Sequence, residues 1–162
     1  MKVDLAGRVA LVTGAGRGIG KAIANSFAAN GARVLYSDID LATATEAATA
    51  FPGCQAVALD VTSSTQVEEV IALAVRDLGR LDIVVNNAGV NTLQHRVTID
   101  QFPIEEWDRI LKVDLHGLFL VSRAAARVKC SSSATATKAR RRRGSRSRGT
   151  RSNLQRGCVN GA

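Results

Sequence analysis

Aromatic residues are scarce in this 162-residue chain, at 4%, and none follows Phe119. Acidic residues stop earlier still, at Asp114, whereas residues 127–162 hold eleven Lys and Arg. A segment without aromatic or acidic side chains and rich in arginine cannot bury enough apolar surface to build a core of its own. The net charge of +8 therefore belongs to the C-terminal end, because residues 1–126 carry 11 basic against 14 acidic side chains. Cysteine is equally sparse. Cys54, Cys130 and Cys158 are odd in number, scattered and free of any C-x-x-C pair, which excludes a disulfide framework and a zinc site and makes a reducing compartment the expectation. No long apolar run is present either. The stretch from Ile110 to Val128 is broken by Lys112, Asp114 and Arg123, and the N-terminus carries Asp4 and Gly7 where a signal peptide needs an apolar core. A soluble, cytoplasmic protein with no membrane partner is expected. His95 and His116 stand alone, and a surface or packing role is expected of both.

What the chain does have is alternation. The hydrophobic content of 46% suits one globular domain. Val9 to Val12 is a short apolar run ending in glycines, as in a strand buried on both faces. "GIGKAIANSFAANG" then places Ile19, Ile23 and Phe27 at helical spacing, with Gly31 at the expected end. "ARVLYSD", "QAVALDV" and "LDIVVNNAG" read as further strands, and "LATATEAATA" and "TQVEEVIALAVRDLG" as the helices between them. Such alternation predicts an α/β fold, a doubly wound, Rossmann-like parallel sheet with helices on both faces. A long helix over 104–128 should follow, with Trp107, Ile110, Leu111, Leu115, Leu118 and Val121 on one stripe. A fifth strand is due next, but the apolar periodicity ends at Val128. The expected division is a dinucleotide-binding region over 1–128 and a disordered, low-complexity basic tail over 129–162.

Between the first strand and first helix lies Thr13-Gly14-Ala15-Gly16-Arg17-Gly18-Ile19-Gly20. Glycines allow positive φ and let a diphosphate approach the backbone, while the helix N-terminus presents free N–H groups and a favourable dipole. The spacing is Gly14-x-x-x-Gly18-x-Gly20, and its position between strand and helix separates it from an ordinary tight turn. Twenty residues past Gly18, at the end of the second strand, Asp38 is placed to accept both ribose hydroxyls of an adenosine. Its charge would repel a 2′-phosphate, which favours NAD over NADP. Arg17 and Arg33 would counter that repulsion if they faced the site. Asp40 reads as a helix-start residue.

These residues together resemble the short-chain dehydrogenase/reductase family. The resemblance rests on TGAGRGIG at 13–20, "DVT" at 60–62, "NNAG" at 86–89 and "EEWDRILKVDLHGLFLVSRAA" at 105–125, and it covers roughly residues 5–128. It implies hydride transfer between a nicotinamide cofactor and a carbonyl or secondary alcohol carbon. It further implies a cofactor site at Gly14, Arg17, Gly18, Ile19, Gly20, Asp38, Asp60, Val61, Asn87 and Gly89, with Asp60 and Val61 flanking the adenine and Asn87 lying along the cofactor. The family's acid is a tyrosine in a Y-x-x-x-K pair downstream of a serine, and a lysine beside it lowers a phenol pKa of about 10. That block is missing. Tyr36 is the only tyrosine, it lies inside the second strand, and Asp40 rather than a lysine stands four residues on. Ser131, Ser132 and Ser133 have no strand character around them and receive no role. No catalytic residue is identifiable. Asp114 occupies the position of the family's water-holding asparagine, where a carboxylate can hold water but adds a charge to the relay. Relatives commonly pair through long helices, so self-association through 104–128 is a further expectation.

Two origins suit the tail. As a functional arm, "RRRRGSRSRG" would bind phosphates of nucleic acid with strong salt dependence, and without sequence preference, because no aromatic residue is interleaved to stack on bases. As an out-of-frame product of GC-rich DNA it would replace the family's second half. If Lys129-Cys130-Ser131 is encoded AAA-TGC-TCN, the frame opening one nucleotide before the Cys codon reads Met-Leu, an apolar pair that would extend the helix stripe. The second origin is the expected one, and it makes the chain a catalytically incomplete fragment of marginal stability, with the fourth strand and long helix left uncovered.

Overall fold

The computed structural model describes residues 3–92 and 97–128. His95, Ser131 to Ser133 and the arginine tail lie outside the described residues. Strand β1 (Val9–Thr13) is apolar and wholly buried, and it sits in the middle of a parallel sheet of order β3-β2-β1-β4. Its neighbours are β2 (Arg33–Asp38) and β4 (Ile83–Val85), and β3 (Gln55–Ala58) completes the sheet. Strands in this parallel order need crossovers, which are supplied by α1 (Gly18–Ala29), α2 (Leu41–Ala48) and α3 (Ser64–Leu78). This is the Rossmann-like α/β class that the alternation predicts.

Three helix boundaries have a clear local cause. Asp40 caps α2 by accepting from the N–H groups of Ala42 and Thr43, and Ser63 caps α3 by accepting from Gln66 N–H. Gly79 ends α3 in the left-handed region, at φ 79°, where residues other than glycine are disfavoured. The helices cover the sheet on both sides. Val67, Val70, Ile71, Ala74 and Leu78 of α3 pack with Val121, Ala124 and Ala125 over Val9, Leu11 and Leu35. Ala24 of α1 and Ala44, Ala47 and Ala48 of α2 cover Ala10, Val12, Val34 and Tyr36 on the other side.

The third and fourth strands are shorter than the apolar runs suggest. The chain leaves β3 at Ala58, after which Asp60 turns it by accepting from both the N–H and the hydroxyl of Thr62. The long helix is also not uniform. It runs as α4 (Ile104–Leu111), a π-turn at Lys112–Gly117, and α5 over 118–128. The predicted stripe divides there: Val121 is fully buried, while Trp107, Leu115 and Leu118 are 48%, 62% and 45% exposed. No described helix is long and apolar enough to cross a membrane.

Candidate functional site

Parallel strands carry their ligand sites at their C-terminal ends, and a cavity of about 350 Å³ opens there. Gly14, Arg17, Ile19 and Gly20 line it from the glycine loop and α1. Asp38 lines it from the end of β2, Asp60 and Val61 from beyond β3, and Asn87 and Gly89 from beyond β4. Gly18 is the one expected residue that does not line the cavity. It opens α1 at φ 57°, and a Cβ placed on it would meet nothing within 4 Å. Ile39, Leu59, Ala88, Val90 and Val113 complete the wall.

The glycines have different duties. Gly20 is a packing glycine, since a Cβ there would overlap the Gly14 carbonyl oxygen and Asn87 Nδ2. At Gly18 a Cβ would meet only open space, so its positive φ rather than packing is what calls for glycine. Gly18, Ile19 and Gly20 belong to the first turn of α1, whose N–H groups have no partner within the helix. Arg17 precedes them, exposed and in extended conformation. It is the single cation lining the cavity, beside two carboxylates, those of Asp38 and Asp60.

A threonine hydroxyl that motif reading passed over holds the site together. Thr13 Oγ1 donates to the Val85 carbonyl at 3.3 Å and accepts from the N–H groups of Asn87 and Ala88, both at 3.0 Å. Asn87 answers by donating its Nδ2 to the carbonyls of Thr13 and Gly14, at 3.0 and 3.1 Å. The end of β1 and the chain leaving β4 are thereby locked to each other. Asn86 turns the other way, donating from Nδ2 to Ser122 Oγ at 2.9 Å, and its Oδ1 is buried with no hydrogen-bond partner among the described residues.

The geometry also places Arg33, Asp114 and Tyr36. Arg33 does not face the site: it starts β2, at the opposite end from Asp38, and its Nη2 donates to the Leu78 carbonyl. Arg17 alone therefore opposes the Asp38 charge. Asp114, in the π-turn, accepts from the Val90 N–H at 2.9 Å, and a Cβ on Gly89 would lie 3.3 Å from its Oδ1. It pins the backbone beyond β4. Tyr36 is fully buried and donates to Asn25 Oδ1 at 2.9 Å. Burial, with a smaller contribution from Cys54, pushes its phenol up to about 12. A group so placed cannot exchange a proton with a substrate near neutral pH. The described residues hold no cluster of His, Cys, Asp or Glu fit for a metal.

Comparison with known proteins agrees with the fold and the loop. The model of the short chain dehydrogenase family matches residues 8–135. The galactitol 2-dehydrogenase of Agrobacterium fabrum is 39% identical over 122 residues, covering 75% of this chain and 46% of that protein. The 3-oxoacyl-acyl-carrier-protein reductase FabG of Thermotoga maritima is 38% identical over 122 residues, covering 73% and 48%. Among solved structures, one described as a short-chain alcohol dehydrogenase of Sinorhizobium meliloti superposes with a TM-score of 0.69 at 38% identity, covering 77% of this chain and 50% of that one. The chain spans about half the length of the curated relatives it matches. With its glycine loop, its four-stranded parallel sheet and these matches, the chain belongs to the short-chain dehydrogenase family, oxidoreductases that bind nicotinamide dinucleotides.

Proposed function

We propose that residues 1–128 are the dinucleotide-binding part of an NAD(H)-dependent oxidoreductase whose full-length relatives act on a ketone or secondary alcohol, and that the 162-residue chain binds cofactor without turnover. The observation that carries this reading is the cavity at the strand ends, where the glycine loop, Asp38, Asp60, Val61, Asn87 and Gly89 share one wall. In full-length relatives such a cofactor would supply or accept a hydride; in this chain the same residues would only hold it.

In this reading the first N–H groups of α1 and the Arg17 guanidinium hold the diphosphate. Asp38 accepts from the adenosine ribose hydroxyls, and Asp60 and Val61 border the adenine. Asp38 and Asp60 together outweigh Arg17, so a 2′-phosphate would meet net repulsion, which favours NAD over NADP. Asn87 serves the cofactor indirectly, because its amide is committed to the carbonyls of Thr13 and Gly14. The lack of turnover rests on Tyr36, the only tyrosine, being sealed in the sheet. The exposed face of Trp107, Leu115, Leu118 and Phe119 supports self-association, and the free Cys54 suits a cytoplasmic setting.

The test is calorimetric titration of the purified chain with NAD and NADP, followed by an assay of ketone-dependent NADH oxidation. NAD should bind at least about tenfold more tightly than NADP, a difference of roughly 1.4 kcal/mol. No ketone should accelerate NADH loss. Absence of NAD binding at millimolar concentration would remove the cofactor reading, and measurable turnover would remove the claim of incompleteness.

A further inference from the structure

We propose that Asp38 is a positioning residue for the glycine loop, its carboxylate clamping the Gly16 N–H so that the residue facing the ribose also sets the shape of the loop facing the diphosphate. The inference rests on the cofactor reading above but begins from bonds made by the protein alone. Asp38 Oδ2 accepts from the Gly16 N–H at 2.9 Å, and Oδ1 accepts from the Asp40 N–H at 3.2 Å. Each oxygen thus holds one backbone amide, one in the loop and one at the cap of α2.

The Gly16 bond sits where the loop leaves the sheet. Ala15 N–H still donates to the Ser37 carbonyl at 2.9 Å, continuing the β1–β2 ladder. One residue later the ladder has ended, and the Gly16 amide is held by a side chain instead. After Gly16 the chain swings outward through exposed Arg17 and into the left-handed Gly18. Gly16 is also pressed against α2: a Cβ there would overlap Thr43 Oγ1 and lie 3.0 Å from Asp38 Oδ2. Thr43 is itself fixed, donating its hydroxyl to the Asp40 carbonyl at 3.0 Å. The loop therefore rests on a rigid support, and Asp38 is its tether. A carboxylate has about four acceptor sites, so two amides leave capacity for ribose hydroxyls.

The clamp has a consequence of definite sign. A carboxylate that only reads ribose repels phosphate, and removing it should leave inorganic pyrophosphate binding unchanged or tighter. If the carboxylate shapes the loop, removing it should weaken pyrophosphate binding although the probe has no ribose. The experiment compares the full chain with Asp38→Ala and Asp38→Asn, the latter keeping one oxygen. It measures backbone hydrogen exchange without ligand, with Leu11 as the reference for global folding, and pyrophosphate affinity by titration.

In Asp38→Ala the Gly16 amide should exchange about tenfold faster or more at unchanged Leu11 protection, as expected for loss of a charge-assisted bond. Pyrophosphate affinity should fall several-fold, and Asp38→Asn should recover part of both losses. If Asp38→Ala fails to fold, the Asn variant carries the same comparison. Unchanged Gly16 exchange, or pyrophosphate affinity equal to or above that of the parent, overturns the clamp. If the parent binds neither pyrophosphate nor NAD while Gly16 exchange still responds, the cofactor reading fails and the tether itself stands.

Discussion

The two flanks of β1 are finished to different degrees. Toward β2, every large hydrophobic side chain of the strand pair is fully buried, and Ser37 Oγ donates to the Val12 carbonyl at 3.1 Å while Tyr36 is paired with Asn25. Toward β4, Ile83, Val84 and Val85 are only half-buried, Asn86 Oδ1 lacks a partner among the described residues, and the helix beyond presents Trp107, Leu115, Leu118 and Phe119 outward. The finished flank holds the glycine loop and Asp38. The loop side of a cavity can thus be tightly ordered while the flank that supplies its other wall still carries surface suited to being covered.

Overpacking the finished flank should have the largest effect. In Gly20→Ala the new methyl meets the Gly14 carbonyl and the locked Asn87 amide, and about 3 kcal/mol of stability should be lost as the loop is forced apart. NAD binding should go with it. Gly18→Ala, which meets only open space, should cost about 1 kcal/mol for its positive φ. Urea unfolding checks both, and equal midpoints for the two variants would mean that Gly20 is no more tightly packed than Gly18, leaving the finished flank without its close contact.

Tyr36 gives the next effect through pH. Its folded pKa, near 12, exceeds the ordinary phenol value of about 10, so the neutral form is favoured by folding. The resulting stability, about 2 to 3 kcal/mol, is fully present below pH 10 and is lost as pH rises toward 12. Alkaline unfolding curves should show this step, and Tyr36→Phe should remove it. A step of equal size in the Phe variant would assign it to other groups.

Thr13→Val should cost about 2 kcal/mol, because the N–H groups of Asn87 and Ala88 lose their acceptor inside the protein. Thr13→Ser keeps the hydroxyl and should recover most of the loss. This hub also marks where sequence reading stops. The strand–helix alternation, the glycine loop and Asp38 were legible because periodicity and short spacing encode them locally. The Thr13 bonds join residues more than seventy positions apart, and no local pattern announces them. The π-turn was hidden for the same reason, since it is matched by tertiary contacts: Gly117 against Val61, where a Cβ would lie 2.6 Å from Cγ2, and Asp114 against Val90. Arg33 could have been placed. It opens the strand that Asp38 closes, and five residues of strand span roughly 16 Å.

The smallest effect on stability, and the most informative about the unfinished flank, should come from Leu115→Gln with Leu118→Gln. Both leucines are largely exposed and line an open apolar groove with Leu111 and Phe119. Phe119 is best left in place, because it stacks on His116 and lies beneath Arg123. Polar replacements at exposed positions typically change unfolding free energy by less than about 0.5 kcal/mol each. Their effect on association should be far larger, because the groove loses its apolar lining. Sedimentation of the parent chain should reveal associated species that the double variant lacks, at nearly the same unfolding midpoint. A parent that is monomeric, with one sharp melt, would mean that the β4 flank is self-sufficient, and the apolar face would then be surface that this chain tolerates without covering.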